Sequence, residues 1–161
     1  MSLDKIDRAI LAILQKAAKT TNAQLADMVG LSPAATLERV RKLENAGIIQ
    51  GYHARLDTDK IGLKRHMLLY IKIQPLEQAV VAAFLQTIAS MPEVICAYQI
   101  TGDADFLLQV VTVDGVAYQY FLTEKLGKIA GAHLVRSEAI LAVTKETAPL
   151  PLPVLPQTPL P

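Results

Sequence analysis

Residues 21–47, TNAQLADMVGLSPAATLERVRKLENAG, decide how the first part of this chain folds. The stretch Thr21 to Gln24 has the spacing of a capping box, in which two side chains satisfy free backbone N–H groups at a helix start. We expect this helix to end at Gly30, because glycine tolerates the left-handed conformation of a C-terminal cap. Ser32-Pro33 begins a new helix, with serine as N-cap and proline in the first turn. A connection this short forces the two helices to cross at a large angle, which indicates a helix-turn-helix.

The flanking residues extend this arrangement in both directions. Apolar residues recur at helical spacing between Leu3 and Lys19 and predict a helix before the capping box. The helix that begins at Pro33 is expected to bury Leu37, Val40 and Leu43 and to end at Ala46-Gly47. A short strand is predicted over residues 48–54, followed by a polar linker over residues 56–62.

The second half alternates strands and helices. Two strand–helix units joined through a turn give the order β-α-β-β-α-β, which is the ferredoxin-like arrangement of a four-stranded sheet with both helices on one face. The fold class is therefore α+β, a winged helix-turn-helix followed by a ferredoxin-like domain. The predicted strands are 66–74, 94–100, 106–113 and 134–145, and the predicted helices are 76–91 and 116–130.

The sheet should have one face that no helix covers. An open apolar face of this kind usually marks an interaction site, and we expect a homodimer through it. The strand residues assigned to this face are Leu68, Tyr70, Leu107, Gln109, Ile140 and Ala142.

The C-terminal tail, residues 148–161, contains six prolines. Proline prevents it from forming a helix or a central strand, so an extended polyproline-like conformation is expected. The PxxP patterns within 153–159 could engage an aromatic groove, and the alternative is a disordered or surface-draped end. Deletion of residues 150–161 is expected to leave DNA binding intact.

The composition limits the classes of function. The chain has 16 basic and 15 acidic residues, and residues 1–60 carry a basic surplus of two. Its single cysteine cannot form an internal disulfide, the first residues lack a signal-peptide pattern, and no apolar run approaches the roughly 20 residues needed to cross a membrane. The cytoplasm is the expected location. We expect no catalytic residues, metal site or cofactor, because the three histidines are scattered and the usual catalytic glycine and serine motifs are absent.

Two sets of motifs resemble one known family. The first comprises LDKIDR at 3–8, VGLSP at 29–33, LERVRKLE at 37–44 and GIIQGY at 47–52, and the second comprises PEV at 92–94 and TGDADF at 101–106. In this order and spacing they resemble the Lrp/AsnC, or feast/famine, transcription regulators over about residues 3–147. The resemblance implies a DNA-binding domain at 1–60 and an amino-acid-sensing and oligomerisation domain at 63–147, with the proline-rich tail at 148–161. It also implies dimers that assemble further, commonly into octamers.

The helix from Pro33 to Ala46 is the predicted DNA-reading element. With its apolar stripe inward, small and charged side chains face outward, where they can lie in the major groove. Ser32 could contact a phosphate beside free N–H groups, and the basic residues could neutralise phosphates or read guanine. The alternative is an ordinary solvated charged face. The candidate double-stranded DNA contacts are Ser32, Pro33, Ala34, Ala35, Glu38, Arg39, Arg41 and Lys42.

The turn at 101–105 has two interpretations. From the residues alone it is a β-hairpin turn, with glycine supplying a positive φ and aspartate capping backbone groups. The resemblance implies that it holds the ammonium and carboxylate of an amino-acid effector at a dimer interface, with partners on the last strand. The charged Glu138 could alter the choice of effector, select a basic amino acid or mark a protein without an effector. The candidate effector-binding residues are Thr101, Gly102, Asp103, Asp105, Glu138, Ala139 and Ile140.

Three function classes remain open. The first is a sequence-specific regulator modulated by an amino acid, and the second is an effector-independent architectural DNA-binding protein. The third is an amino-acid sensor that does not bind DNA, against which the helix-turn-helix argues.

Overall fold

The computed structural model describes residues 2–145 and 147–152 and forms two compact units. One unit runs to Arg55 and includes the C-terminal segment from Lys145, and the other is Leu56–Thr144. Among the described residues, no helix is both long and apolar enough to cross a membrane.

Three helices form the first unit: α1 (Lys5–Lys16), α2 (Asn22–Val29) and α3 (Pro33–Asn45). The capping box predicted at the start of α2 is present, with the Gln24 N–H donating to Thr21 Oγ1 at 3.3 Å and the Thr21 N–H donating to Gln24 Oε1 at 3.0 Å. Gly30 has φ +71° and ends α2 in the left-handed conformation. The helix-turn-helix is confirmed.

The first helix, predicted over 3–19, is shorter in the structure, where α1 spans Lys5–Lys16. The carbonyl of Ala17 accepts from both the N–H and the hydroxyl of Thr20, at 3.0 and 2.7 Å. These bonds close a turn at the point where an uninterrupted helix would continue.

The inward face of α3 differs from the predicted one at two positions, Thr36 and Leu37. Thr36 and Leu43, seven residues or about two turns apart, are fully buried, and Val40 between them is half-buried. Leu37, predicted to be buried, is 39 % exposed because it lies about 100° further round the helix than Thr36. The buried Thr36 hydroxyl is satisfied by donating to the Ser32 carbonyl at 3.0 Å.

The predicted strand over 48–54 is wrong. These residues have no strand conformation, since no strand in the described part of the chain pairs with them and an unpaired strand leaves its backbone groups unsatisfied. The segment is held to α3 instead by the Tyr52 hydroxyl, which donates to Glu44 Oε1 at 2.9 Å.

The second unit has the predicted β-α-β-β-α-β order and an antiparallel sheet with strand order β2-β3-β1-β4. Strand β1 buries alternate residues and packs against the helices with a core that includes Phe84, Phe106 and Phe121. The elements are β1 (Arg65–Ile73), α4 (Gln78–Ala89), β2 (Val94–Gln99), β3 (Phe106–Thr112), α5 (Gly115–Tyr120) and β4 (Ala132–Ala139).

Two predicted lengths in this unit are wrong. The second helix, predicted over 116–130, changes after α5 into a π-helical turn (Phe121–Lys125) and a 3-10 turn (Leu126–Lys128). Gly127 permits this change because a Cβ there would lie 2.9 Å from the Leu122 carbonyl oxygen. The last strand, predicted to reach Lys145, ends at Ala139, and because β1 begins at Arg65, the residues after 141 have no strand backbone to pair with.

The register identifies the face opposite the helices. Leu68 and Tyr70 of β1 lie beside Gln109 and Leu107 of β3, and these four side chains are half-buried. On the other side of β1 the same two residues lie beside Glu138 and Arg136 of β4. Ile140 and Ala142, which we expected on this face as strand residues, lie beyond the end of β4.

The C-terminal segment before residue 153 is ordered against the first unit. Leu150 makes two hydrogen bonds to the side chain of Gln15 in α1, and Leu152 packs on the helical core. The predicted PxxP patterns at 153–159 lie outside the described residues.

Candidate functional site

The outward face of α3 presents a mixed surface suited to a groove. Ala34, Glu38 and Arg41 are exposed and fall within about 60° of each other around the helix axis. Lys42 and Ala35 lie beside them, as does Asn45, which the sequence analysis missed although the same helical period contains it. Within the described residues, Arg41 and Lys42 have no carboxylate at ion-pair distance and remain available for a polyanion.

The beginning of α3 is exposed and capped. Ser32 Oγ accepts the N–H of Ala35 at 3.2 Å, which satisfies one free backbone donor and leaves the hydroxyl hydrogen able to donate to a phosphate. Pro33 is exposed at the first helical position. Asn22 Nδ2 donates to the Pro33 carbonyl at 2.7 Å and ties the start of α3 to the start of α2.

Arg39 lies on a different side of α3 from Arg41. Its Nη1 lies 2.6 Å from Asp4 Oδ2 and 2.8 Å from Asp7 Oδ1, and the Asp7 side chain is only 7 % exposed. The Asp7 N–H and then the Arg39 guanidinium lower the pKa of Asp4, while Asp4 and then Asp7 raise the pKa of Arg39. This ion pair joins α3 to the start of α1 and orients the outward face of α3.

The turn at 101–105 is fastened to the sheet through Asp105. Its Oδ2 accepts the N–H of Ile73 at 2.8 Å and its Oδ1 accepts from Lys72 Nζ at 3.0 Å. These two interactions, the backbone N–H first, lower the pKa of Asp105. Gly102 has φ +121°, a conformation that side-chain-bearing residues rarely adopt.

Asp103 has the freely accessible carboxylate of this turn, with a side chain that is 81 % exposed. Its Oδ2 lies 3.4 Å from Arg136 Nη1, and Arg136 Nε donates to Glu138 Oε1 at 3.1 Å. The Arg136 guanidinium stacks 3.6 Å from the centre of the Tyr70 ring, and the Tyr70 hydroxyl donates to Glu138 Oε2 at 3.3 Å. Tyr70 first, then Glu138, raises the pKa of Arg136.

The structure therefore joins part of the predicted effector set and separates the rest. Asp103 and Glu138 belong to one network, connected by Arg136 and Tyr70, which the sequence analysis missed. Arg136 and Glu138 are two residues apart in a strand and must share a face. This alternation could have identified Arg136 as a neighbour of Glu138 from the sequence.

Ala139 and Ile140 lie elsewhere on the sheet. Ala139 pairs with Met67 and the Ile140 N–H donates to the His66 carbonyl, whereas the turn bonds to β1 at Ile71 and Ile73. Four strand residues span about 13 Å. A single chain does not bring Ala139 and Ile140 to the turn, while Thr101 is exposed within it.

Comparison with known proteins matches both units. The profile of the winged helix-turn-helix DNA-binding family covers residues 3–50, and that of the Lrp/AsnC ligand binding domain covers residues 67–150. The chain is 38 % identical to the Bkd operon transcriptional regulator of Pseudomonas aeruginosa, over 91 % of this chain and 97 % of that protein. It is 36 % identical to a leucine-responsive regulatory protein of Rhizobium meliloti, over 91 % of this chain and 94 % of that protein.

Solved structures show the same architecture. A transcriptional regulator of Neisseria meningitidis, determined in complex with L-Met, superposes with a TM-score of 0.87 at 32 % identity, covering 93 % of this chain and 97 % of that one. AsnC of Escherichia coli superposes with a TM-score of 0.82 at 27 % identity, covering 92 % of this chain and 98 % of that one.

Proposed function

The chain belongs to the Lrp/AsnC family of transcriptional regulators, and on that basis we propose which of its residues bind DNA and which bind an amino acid. The protein is a DNA-binding transcription regulator with an amino-acid-binding domain. We assign DNA binding to residues 1–60, effector binding and oligomerisation to residues 63–147, and a separate role to the tail at 148–161. The cytoplasm, where its DNA target lies, is the proposed location.

The outward face of α3 carries the DNA proposal. Arg41 and Lys42 neutralise phosphates or read guanine, and the small Ala34 and Ala35 let the helix backbone approach the bases closely. Glu38 is placed to accept from a cytosine amino group. Ser32 and Pro33 bring the start of the helix against the phosphate backbone. Arg39 contributes by holding α3 on α1 through its two carboxylates.

A gel-shift or fluorescence titration with the chain's own promoter region tests this assignment. We expect saturable binding that outcompetes unrelated duplex DNA and that weakens as salt rises. Equal affinity for every duplex at every salt concentration would overturn sequence-specific binding.

The network on the open sheet face carries the effector proposal. An amino acid presents a carboxylate and an ammonium a few ångströms apart. Arg136 suits the carboxylate, and the exposed Asp103 suits the ammonium. The N–H groups of Thr101 and Gly102 in the turn can also donate to the carboxylate, and Asp105 keeps the turn in place. We place Glu138 against the effector side chain, where a carboxylate favours a polar or basic group.

A homodimer through the open sheet face would complete this pocket. In this proposed dimer a second copy of Ala139 and Ile140 would lie against the pocket, which is the arrangement that a single chain does not provide. Such dimers would associate further, with an octamer as the proposed assembly. Sedimentation of the full chain measures this directly.

Thermal unfolding of the full chain against the twenty amino acids tests effector binding. A ligand at one hundred times its Kd adds about 2.7 kcal/mol to the free energy of unfolding. We expect a shift with one or a few amino acids that is lost in Asp103→Ala. No shift with any amino acid, together with DNA affinity that none of them changes, would favour an effector-independent architectural protein.

A further inference from the structure

The C-terminal segment Pro149 to Leu152 lies on the helix-turn-helix unit and makes specific contacts there. The Leu150 N–H donates to Gln15 Oε1 at 2.6 Å, and Gln15 Nε2 donates to the Leu150 carbonyl at 3.3 Å. One amide side chain thus satisfies both backbone groups of one residue, as a neighbouring strand would. This recognition requires an extended backbone but is indifferent to the Leu150 side chain, which is 71 % exposed.

Leu152 provides the apolar part of the contact. It is half-buried and packs on the helical core, and Leu3 and Leu14 pack on the same core. These residues belong to a groove of about 460 Å³ between α1 and the segment 48–53. The other lining residues are Leu11, Gln15, Ala18 and Leu150.

The composition of the segment favours this mode of binding. Pro149 and Pro151 lack an N–H and hold φ near −65°, so the free segment already favours an extended form and loses little entropy when it docks. Between them, Leu150 has the one N–H that must find an acceptor, and Gln15 supplies it.

The path of the chain gives this contact a wider consequence. The chain leaves the first unit at Arg55, forms all of the second unit and returns at Lys145. A docked tail therefore adds a noncovalent attachment to the covalent connection that the helix-turn-helix unit has to the rest of the chain after Arg55. Docking is intramolecular, so a high effective concentration favours it over free peptide.

We propose that the groove between α1 and residues 48–53 is a docking site for an extended Pro-Leu-Pro-Leu segment. Its occupant is the C-terminal tail of the same chain, which serves as a releasable strap on the DNA-binding unit. Gln15 recognises the backbone of Leu150, and the apolar groove recognises the side chain of Leu152. Release of the strap removes this noncovalent attachment and leaves the connection after Arg55 in place.

Hydrogen exchange of the full chain, measured by mass spectrometry at the Leu150 amide, tests the docking. Leu152→Ser and Gln15→Ala should each raise its exchange rate about tenfold or more. Gln15→Ala removes the acceptor of the Leu150 N–H, and Leu152→Ser removes the apolar contact that holds the segment in place. Leu150→Ser is the matched control because it alters an exposed side chain in the same segment, and protection should be retained. Equal exchange in all four proteins would overturn the proposal.

A second measurement keeps the test independent of folding defects. A synthetic peptide Pro-Leu-Pro-Leu should bind saturably to the full-length Leu152→Ser protein, whose groove is vacated, and much more weakly to the wild type. A peptide with serine at its last position should not bind. Equal binding of both peptides would refute recognition of the Leu152 side chain.

Cross-linking establishes which chain provides the tail. In a Cys96→Ser background, Ala18→Cys and Leu150→Cys joined by a short bismaleimide should give a cross-linked monomer on a denaturing gel, because both positions line the groove and the Leu150 side chain is exposed. A cross-linked dimer would mean that a second copy provides the tail and would overturn the assignment to the same chain.

Discussion

Replacing Arg41 with alanine isolates the electrostatic part of DNA binding. Arg41 is exposed on α3 and has no carboxylate at ion-pair distance in the described part of the chain. Its removal should therefore leave the fold unchanged. If the proposed dimer places two copies of α3 on DNA, the substitution removes two phosphate contacts.

The size of the effect follows from counterion release. The logarithm of the binding constant changes with the logarithm of salt concentration with a slope of about −0.9 per phosphate contact. Loss of two contacts should make the slope shallower by about 1.8 and weaken binding about 60-fold at 0.1 M salt. The difference from wild type should vanish as salt approaches about 1 M.

Fluorescence anisotropy titrations at four or five salt concentrations measure both quantities. Lys19→Ala is the matched control, since it removes a positive charge from the same unit outside α3. An Arg41→Ala slope equal to that of wild type, or an equal change in Lys19→Ala, would refute the placement of Arg41 at the phosphates.

Three further predictions follow from the ion pairs. Arg39→Ala should lower the Tm, because it leaves the nearly buried carboxylate of Asp7 without its partner, and calorimetry beside Arg41→Ala checks this; an unchanged Tm would contradict the structural role. Asp105→Asn should reduce the acid sensitivity of folding. Because the Ile73 N–H and then Lys72 lower the Asp105 pKa in the folded state, its stabilisation is present above the unfolded-state pKa of about 3.9 and is lost as pH falls through the lower folded-state value. Urea unfolding between about pH 2 and 6 should give a flatter dependence in the variant, and parallel curves would argue against it. Asp103→Ala should abolish the amino-acid thermal shift while leaving the ligand-free Tm near wild type, because its side chain is exposed; a retained shift would remove Asp103 from the effector site.

Much of the fold could be predicted because its signals are local. A capping box joins residues three apart, and the glycine at the end of α2 acts on the turn that contains it. The alternation of buried and less buried residues along β1 and β3 is a property of neighbouring positions, so it identifies these strands locally. These features depend on backbone sterics and hydrogen bonds within a few residues, so the order of the elements can be read without the tertiary structure.

Element lengths were less predictable because their ends depend on distant partners. The strand predicted at 48–54 has no neighbour to pair with among the described residues, and the predicted end of the last strand at 145 runs past the beginning of β1 at Arg65. Apolar alternation gives a segment the capacity to form a strand, but pairing decides where the strand begins and ends.

The amino-acid sequence alone predicts the helix-turn-helix, the β-α-β-β-α-β order and the chemistry available to each candidate site. Which distant side chains meet can be seen only in the folded chain. Arg39 lies 32 residues from Asp7, Tyr70 lies 68 from Glu138, and Gln15 lies 135 from Leu150. Arg39 and Arg41 look equivalent in the sequence, yet one turns toward α1 and the other toward solvent. The physical reason is that an ion pair or hydrogen bond needs its partners within a few ångströms, and over such separations helix packing and strand register determine that proximity.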